Sequence, residues 1–335
     1  MPNNIVFMDG FDFYNSATMP FTQRYGGSGS YTYGIAGRFG GQAMRFNNSG
    51  DKPIASLPAP TADIAVGFAV AAPWSSGDVI FAYLSGSAFN ALVSFTFNTT
   101  GVLKVYKGFG DTFLGQATGL PVDTFYHYLE LISHRDNAGA GTVQVWFDGV
   151  KVIDLTGLSL GTSDYYAVVL GNTQLGGPVA HYDFDDLYIS AQSTRVGERR
   201  IELLRPNSDV LTAWVPDTGT AHFSRVNEAT PDGDTSYVAS GVVGAKDSYT
   251  VGSLSSTPQQ IDAVQSVMVV RKTDATTRTV RSNIKSGTVT GTGVTRGVPS
   301  SYGLMYDIFN TDPNGSALWT STAVNALNLG IELVA

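Results

Sequence analysis

The sequence predicts an all-β protein of two domains: a sandwich over residues 1–190, then a smaller β-rich domain over 191–335 with one short C-terminal helix. Three observations predict it. Tyr (16), Phe (18) and Gly (38) far outnumber the five glutamates, a palette suited to strands and turns rather than helices. Apolar and polar residues alternate at period two, with turn signals at short intervals. A chain of 335 residues exceeds the roughly 250 at which a single core stops growing, so a second domain is expected.

In the first half Val93, Phe95 and Phe97 share a face, and the NTTG that follows turns the chain into a second strand, Val102 to Tyr106. Phe125 to Ile132 is the next strand. Val143, Val145 and Phe147 then point one way, Asp148-Gly149 supplies a two-residue turn, and Val150 to Ile153 returns. Asp-Gly between apolar arms is a strong hairpin signal because both turn positions need positive φ. Tyr165 to Leu170 and Phe184 to Ile189 complete at least seven strands. The pattern lapses at SAQSTRVGERR, between Ile189 and Ile201, which sets the expected boundary. Beyond it, Ile201 to Leu204, Tyr237 to Val243, Ile261 to Arg271, Thr279 to Ile284 and Tyr302 to Phe309 suit strands, and Gly287 to Gly297 a Gly/Thr-rich loop. A helix fits after Trp319, capped by Thr320 or Ser321, with Ala323, Val324 and Leu327 inward and Gly330 as its stop. No repeat marks a solenoid or propeller.

Composition excludes several functions. The chain has no cysteine, which removes disulfides, thiolate catalysis and thiolate metal sites. Its net charge of −8 opposes binding to a phosphate backbone, and the Arg199-Arg200 pair is bracketed by Glu198 and Glu202. No secretory signal or membrane-spanning run is evident, the stretch from Ile64 to Ala72 being too short. Charged residues are 14% of the chain, well under the ~25% of an ordinary globular domain, which suits a surface made for protein or sugar contacts.

The residues that could carry chemistry each have a plainer reading. Asp9 and Asp12, among aromatics, could ligate Ca2+ through oxygen, or form a turn into the first strand. In HYDFDDLYI, period two puts Asp183 and Asp185 on one face and Asp186 on the other. Such a pair could act as acid and base in a glycosidase, or accept backbone hydrogen bonds or hold a structural ion. Glu130, His134, Arg135 and Asp136 form a polar cluster or a solvated strand end. His127, His134, His181 and His222 lack zinc-site spacing. No GxSxG elbow exists, and Gly291 to Gly297 is neither a Walker A nor a dinucleotide fingerprint. Trp74, beside Pro73 and a Ser-Ser-Gly loop, is the candidate for stacking on a sugar ring, or packs beneath its own loop. No cofactor is expected beyond Ca2+ at these carboxylates.

Three stretches give the first half a resemblance: DGFDFY (Asp9 to Tyr14), VQVWFDGVKV (Val143 to Val152) and FDDLYI (Phe184 to Ile189). In this order and spacing they resemble the concanavalin-A-like lectin/glucanase superfamily in its laminin-G-like phage variants. That implies a jelly-roll sandwich whose first and last strands pair. The glucanase branch carries ExDxE or ExDxxE on one strand. The glutamates here, Glu130, Glu198, Glu202, Glu228 and Glu332, form no such run, so the resemblance carries a fold and no enzymatic activity.

From Arg200 onward, RIELLRPNSDVLTAWVP (Arg200 to Pro216), HFSRVNEATPDGDTSYV (His222 to Val238) and ALWTSTAVNALNLGIEL (Ala317 to Leu333) resemble the C-terminal region of tailed-phage virion proteins. This implies a structural component of the tail or its fibres, ahead of a head decoration or collar protein. The implied location is the virion, after synthesis in the host cytoplasm. The implied partners are further copies of itself, as a homo-oligomer, and other virion proteins. A glycan-binding adhesin for host-surface polysaccharide is the alternative, and neither nucleic acid nor membrane insertion is expected.

Overall fold

A computed structural model of the chain describes residues 3–18, 20–47, 50–72, 78–174 and 181–335. The chain divides into two compact units. The larger comprises 6–11 and 24–201, and the smaller 1–5, 12–23 and 202–335. The division therefore falls at 201/202 rather than at 190/191, because the polar stretch after residue 190 is hydrogen-bonded onto the larger unit. Two short N-terminal segments also belong with the C-terminal unit.

The larger unit is an antiparallel sandwich. Its strands are β1 (Ile5–Asp9, all but its first residue), β2 (Tyr31–Ala36), β3 (Gln42–Phe46), β4 (Ile54–Thr61), β5 (Asp63–Ala71), β6 (Val79–Ser85) and β7 (Ala91–Phe97). There follow β8 (Leu103–Lys107), β9 (Thr112–Ala117), β10 (His127–His134), β11 (Gly141–Phe147), β12 (Val150–Leu158), β13 (Tyr165–Gln174) and β14 (Tyr182–Ser190). The eight-stranded sheet runs β12-β11-β10-β5-β14-β3-β2, with β1 also paired to β14. The six-stranded sheet runs β4-β13-β6-β7-β8-β9. First and last strands of the sandwich thus pair.

Side chains from the two sheets meet in the core. Phe68 of β5 packs edge-on to Phe81 of β6 at 6.3 Å, Phe97 of β7 stacks on Phe147 of β11 at 6.2 Å, and Ser133 of β10 is 2.6 Å from the Tyr165 hydroxyl of β13. Burial of each such ring is worth about 2–3 kcal/mol. The Asp148-Gly149 turn joins β11 to β12 with both residues at positive φ (47° and 79°), as a two-residue hairpin needs.

The smaller unit contains β15 (Pro206–Thr212), β16 (Val215–Pro216), β17 (Val238–Ala239), β18 (Lys246–Val251), β19 (Val264–Val270), β20 (Thr279–Ser286) and β21 (Val289–Thr292). It ends with β22 (Arg296–Gly297), β23 (Gly303–Phe309), α1 (Ser321–Asn325) and β24 (Asn328–Leu333). Its main sheet is β15-β18-β24-β20-β21, with β22 also on β20, and two ribbons, β16-β17 and β19-β23, complete it.

Several sequence expectations are corrected here. Residues 201–204 are not a strand, since Glu202 instead turns to Ser255, accepting from its backbone N–H at 2.8 Å. Only Val238–Ala239 of the 237–243 stretch pairs. Part of the Gly-rich loop is strand, because residues 289–292 and 296–297 pair with β20, and Asp307 reaches the chain between them. Its carboxylate would lie 1.9 Å from a Cβ at position 293, so only glycine fits. The helix is one turn, capped by Thr320, whose hydroxyl accepts from the Ala323 N–H at 3.1 Å. Gly330 lies inside β24 rather than stopping the helix.

Among the described residues, the smaller unit's core includes two small clusters. Val251, Ile284, Trp319, Val324 and Leu327 form one, and Val280, Val298, Met305 and Leu333 the other. Asp247, Ile331 and Ser282 lie in one row across the sheet. Asp247, fully buried, accepts from the Trp214 N–H (2.7 Å) and the Tyr249 hydroxyl (3.0 Å) and is bonded to His222 Nδ1 (2.7 Å). Ser282 donates to Asp307 at 2.6 Å. A polar band, interrupted by Ile331 of the second cluster, thus crosses the sheet. Among the described residues, no helix is long and apolar enough to cross a membrane.

Candidate functional site

The chemistry-bearing residues of the larger unit gather on the outer face of its eight-stranded sheet. Position and size set this up together. Phe68 of β5 points into the core, so Gly67, Ala69 and Ala71 point outward, and their small size leaves room above β5. Tyr188 and Tyr128 fill part of it. A Cβ on Gly67 would lie 2.2 Å from the Tyr188 ring and 2.7 Å from the Tyr128 hydroxyl.

Around these rings stand four acids. Asp183 receives both Nε (2.7 Å) and Nη2 (2.8 Å) of Arg45, its cross-strand partner on β3. Asp185 accepts from the Arg38 N–H at 2.7 Å and the Asp186 N–H at 2.8 Å. Asp186 has φ of 52°, and the ladder slips between Asp185 and Tyr188. This bulge corrects the period-two expectation, because Asp186 turns to the same side as Asp185. Its Oδ1 accepts from the Ile201 N–H at 2.6 Å, and its Oδ2 lies 3.9 Å from the Arg38 guanidinium. Glu130, 1% exposed, accepts from the Tyr188 hydroxyl (2.7 Å), the Val196 and Gly197 N–H groups (2.6 and 2.8 Å) and Arg195 Nε (3.1 Å).

Two segments therefore close over the sheet face. The β2–β3 turn comes from one side, held by Asp185, and residues 194–201 from the other, held by Glu130 and Asp186. They meet where Arg38 pairs with Glu198. The Arg38 guanidinium also lies over Tyr128 (5.0 Å) and Phe39 (4.6 Å), and Arg200 lies 5.4 Å from the Phe39 ring. Phe39 is itself 51% exposed.

Burial dominates the electrostatics. It pushes the phenols of Tyr126, Tyr128 and Tyr188 well up, with Asp183 and Asp186 the next cause for the first two. All three therefore remain donors across the physiological range, and Tyr126 donates to the Ala36 carbonyl at 3.0 Å. Burial, followed by the Arg45 charge, lowers His181. The acids accept hydrogen bonds from the protein and hold loops in place. The arrangement is a braced sheet face with a cationic, aromatic rim.

The other sequence candidates separate. Asp9 is buried in the larger unit, where it accepts from the Phe11 N–H and the Tyr25 hydroxyl, both at 2.9 Å, and lies 3.6 Å from Arg24. Asp12 lies in segment 12–23 of the smaller unit. Trp74 lies outside the described residues. Among the described residues, no group of three or more His, Asp or Glu side chains could hold a metal ion.

Glu130 does not form a cluster with His134, which pairs with Asp63 at 2.7 Å. Arg135 is buried, and Asp136 accepts from the Ala138 and Ala140 N–H groups. Arg38, Arg45, Arg195 and Tyr188 escaped the sequence reading. The one available signal was the outward run of small residues in β5.

No family model matches the chain, and no curated protein is similar to it. Among solved structures it is similar to an endo-β-1,4-glucuronan lyase from the fungus Trichoderma reesei, at 11% identity over 52% of this chain and 92% of that one, with a TM-score of 0.38. It is similar to the binding domain of Paraclostridial mosquitocidal protein 1, at 11% identity over 57% of this chain and 50% of that one, with a TM-score of 0.42. It is similar also to a carbohydrate-binding module from Bacillus subtilis, at 11% identity over 49% of this chain and 92% of that one, with a TM-score of 0.35.

Proposed function

We propose that this chain is a non-enzymatic structural component of a tailed-phage virion, of its tail or tail fibres, assembling with copies of itself and with other virion proteins. The observation that carries the assembly role is the surface of the smaller unit. Around the two-residue ribbon β16-β17 it exposes Val215 (67%), Val242 (68%) and Val243 (60%), with Leu211 and Tyr237 close in the chain to the same ribbon. Aliphatic side chains so exposed support the reading that another chain covers this surface. Symmetric self-association is the commonest way to cover it. The phage identity rests on the sequence resemblance of residues 200–333. The non-enzymatic reading is supported by the acids of the sheet face, each engaged by protein donors.

The test is the oligomeric state by light scattering, together with mass spectrometry of purified particles. An oligomer that Val242→Ser with Val243→Ser shifts toward monomer, and a chain present in intact particles, are expected. A protein monomeric at all concentrations and missing from particles would end the proposal.

A second reading is favoured by the rim of the larger unit, where exposed Phe39 lies against two guanidinium groups. It is a host-glycan adhesin, the rings stacking on sugars. Binding on a glycan array, with and without Ca2+, that Phe39→Ala removes is its expected sign, and a blank array argues against it.

A further inference from the structure

We infer that loop 226–237 of the smaller unit is a pH-operated latch on segment 12–23, closed while the Glu228–Asp232 carboxyl pair holds one proton and loosened when both are ionised. The inference stands apart from the virion reading and rests on a proton count. Ser236 Oγ lies 2.5 Å from Glu228 Oε1 and 2.9 Å from Asp232 Oδ2. A hydroxyl has one proton to donate. With both carboxylates ionised, one of these contacts would set two lone-pair oxygens against each other with no hydrogen between them. One shared proton satisfies both.

The surroundings favour that proton. Burial, with Asp232 adding its charge, lifts Glu228 above its ordinary value. The cation facing the pair is Arg225, which is already held by Asp217 through Nε (2.6 Å) and Nη2 (2.7 Å) and donates to the Thr235 carbonyl at 3.2 Å. Asp234, on the same loop, is bound by Arg271 and by the Tyr302 hydroxyl, each at 2.7 Å. From segment 12–23 the side chains shown on the loop are those of Asn15 and Thr18, both uncharged.

The loop also holds that segment. The Pro231 carbonyl, between the two acids in sequence, accepts from Asn15 Nδ2 at 2.9 Å and from the Thr18 hydroxyl. A Cβ on Gly233 would lie 3.1 Å from the Thr18 methyl. The segment in turn contributes buried Phe13, Tyr14 and Phe21. Displacing the loop therefore breaks the Asn15 and Thr18 hydrogen bonds that tie this segment to Pro231.

A folded-state pKa raised above the unfolded one stabilises fully below the ordinary carboxylate range, and that contribution fades as pH climbs through the raised value. The latch closes in acid and loosens toward neutrality. Hydrogen exchange of the full chain, corrected for intrinsic rates, tests it at about pH 5 and about pH 8. Peptides covering 12–23 and 226–237 are expected to exchange about threefold or more faster at the higher pH, because one pKa unit corresponds to a tenfold change in population. Glu228→Gln needs no shared proton, since its amide can donate to the Ser236 hydroxyl, which then donates to Asp232. It should abolish the difference, and Asp232→Asn should do the same by the mirror arrangement. Protection in the parent that ignores pH, or a parent-like pH response in whichever of the two variants folds, overturns the latch.

Discussion

The two units solve the same problem, holding β-structure together without disulfides, in different ways. In the larger, two broad sheets bury Phe68, Phe81, Phe97, Phe147 and Phe184, and central strands such as β5 and β14 are buried nearly end to end. In the smaller, one six-stranded sheet carries two modest clusters and a polar band of Asp247 and Ser282–Asp307, interrupted by Ile331. An apolar core gains from every ring added to it. A buried carboxylate gains only as long as each of its donors stays in place. The larger unit is thus built to stand as a scaffold. Both units expose large hydrophobic side chains, the smaller mainly aliphatic ones such as Val215 and Val242 and the larger also aromatic ones such as Phe113 and Phe125.

Substitutions sharpen or break this comparison. The largest effect is expected for Phe68→Ala, at about 4 kcal/mol in denaturant unfolding, because the ring faces both Phe81 and Phe184 (6.3 and 5.5 Å). A loss under about 2 kcal/mol would show that the sandwich does not depend on its aromatic core. Asp247→Ala comes next at about 3 kcal/mol, as it strands the Trp214 N–H, the Tyr249 hydroxyl and His222 in the interior. If a nearby hydrophobic replacement proved neutral, the polar band would be a marker of geometry rather than a brace. Thr320→Ala, which removes the cap of α1, should cost about 1 kcal/mol, read as a lowered melting temperature.

The smallest effect is Asp217→Asn. The Arg225 hydrogen bonds hold the Asp217 carboxyl below its ordinary value, so its contribution is present above the carboxylate range and lost as pH falls through the lowered value. Melting curves of parent and variant should therefore differ slightly near neutrality and converge in acid. This is the opposite sense to Glu228, so one pH series separates the two devices of the same loop region.

Much of the larger unit was legible in the sequence. β7, β8, β10, β11, β12, β13 and β14 follow the alternation of their own residues, and the Asp148-Gly149 hairpin needed no outside information. The smaller unit was less so, because its strands interleave polar residues such as Ser282 and Asp247 on the buried face, which hides the alternation. The site was legible only as residue types. Asp183 and Asp185 do lie on one face, but the left-handed turn at Asp186 and the identity of each donor depend on strands distant in sequence. The pairing of Glu130 with the 194–201 segment left no local trace, and that segment's polar composition pointed to a boundary instead.

By itself the sequence determined the all-β class, the Asp148-Gly149 hairpin turn, a short helix after Trp319 and the absence of thiol chemistry. These are set by sterics and side-chain size within a few residues. The tertiary structure alone decided which charges meet and where the two units divide. Those outcomes depend on desolvation and on hydrogen-bond partners brought together from opposite ends of the chain, which no short stretch of sequence encodes.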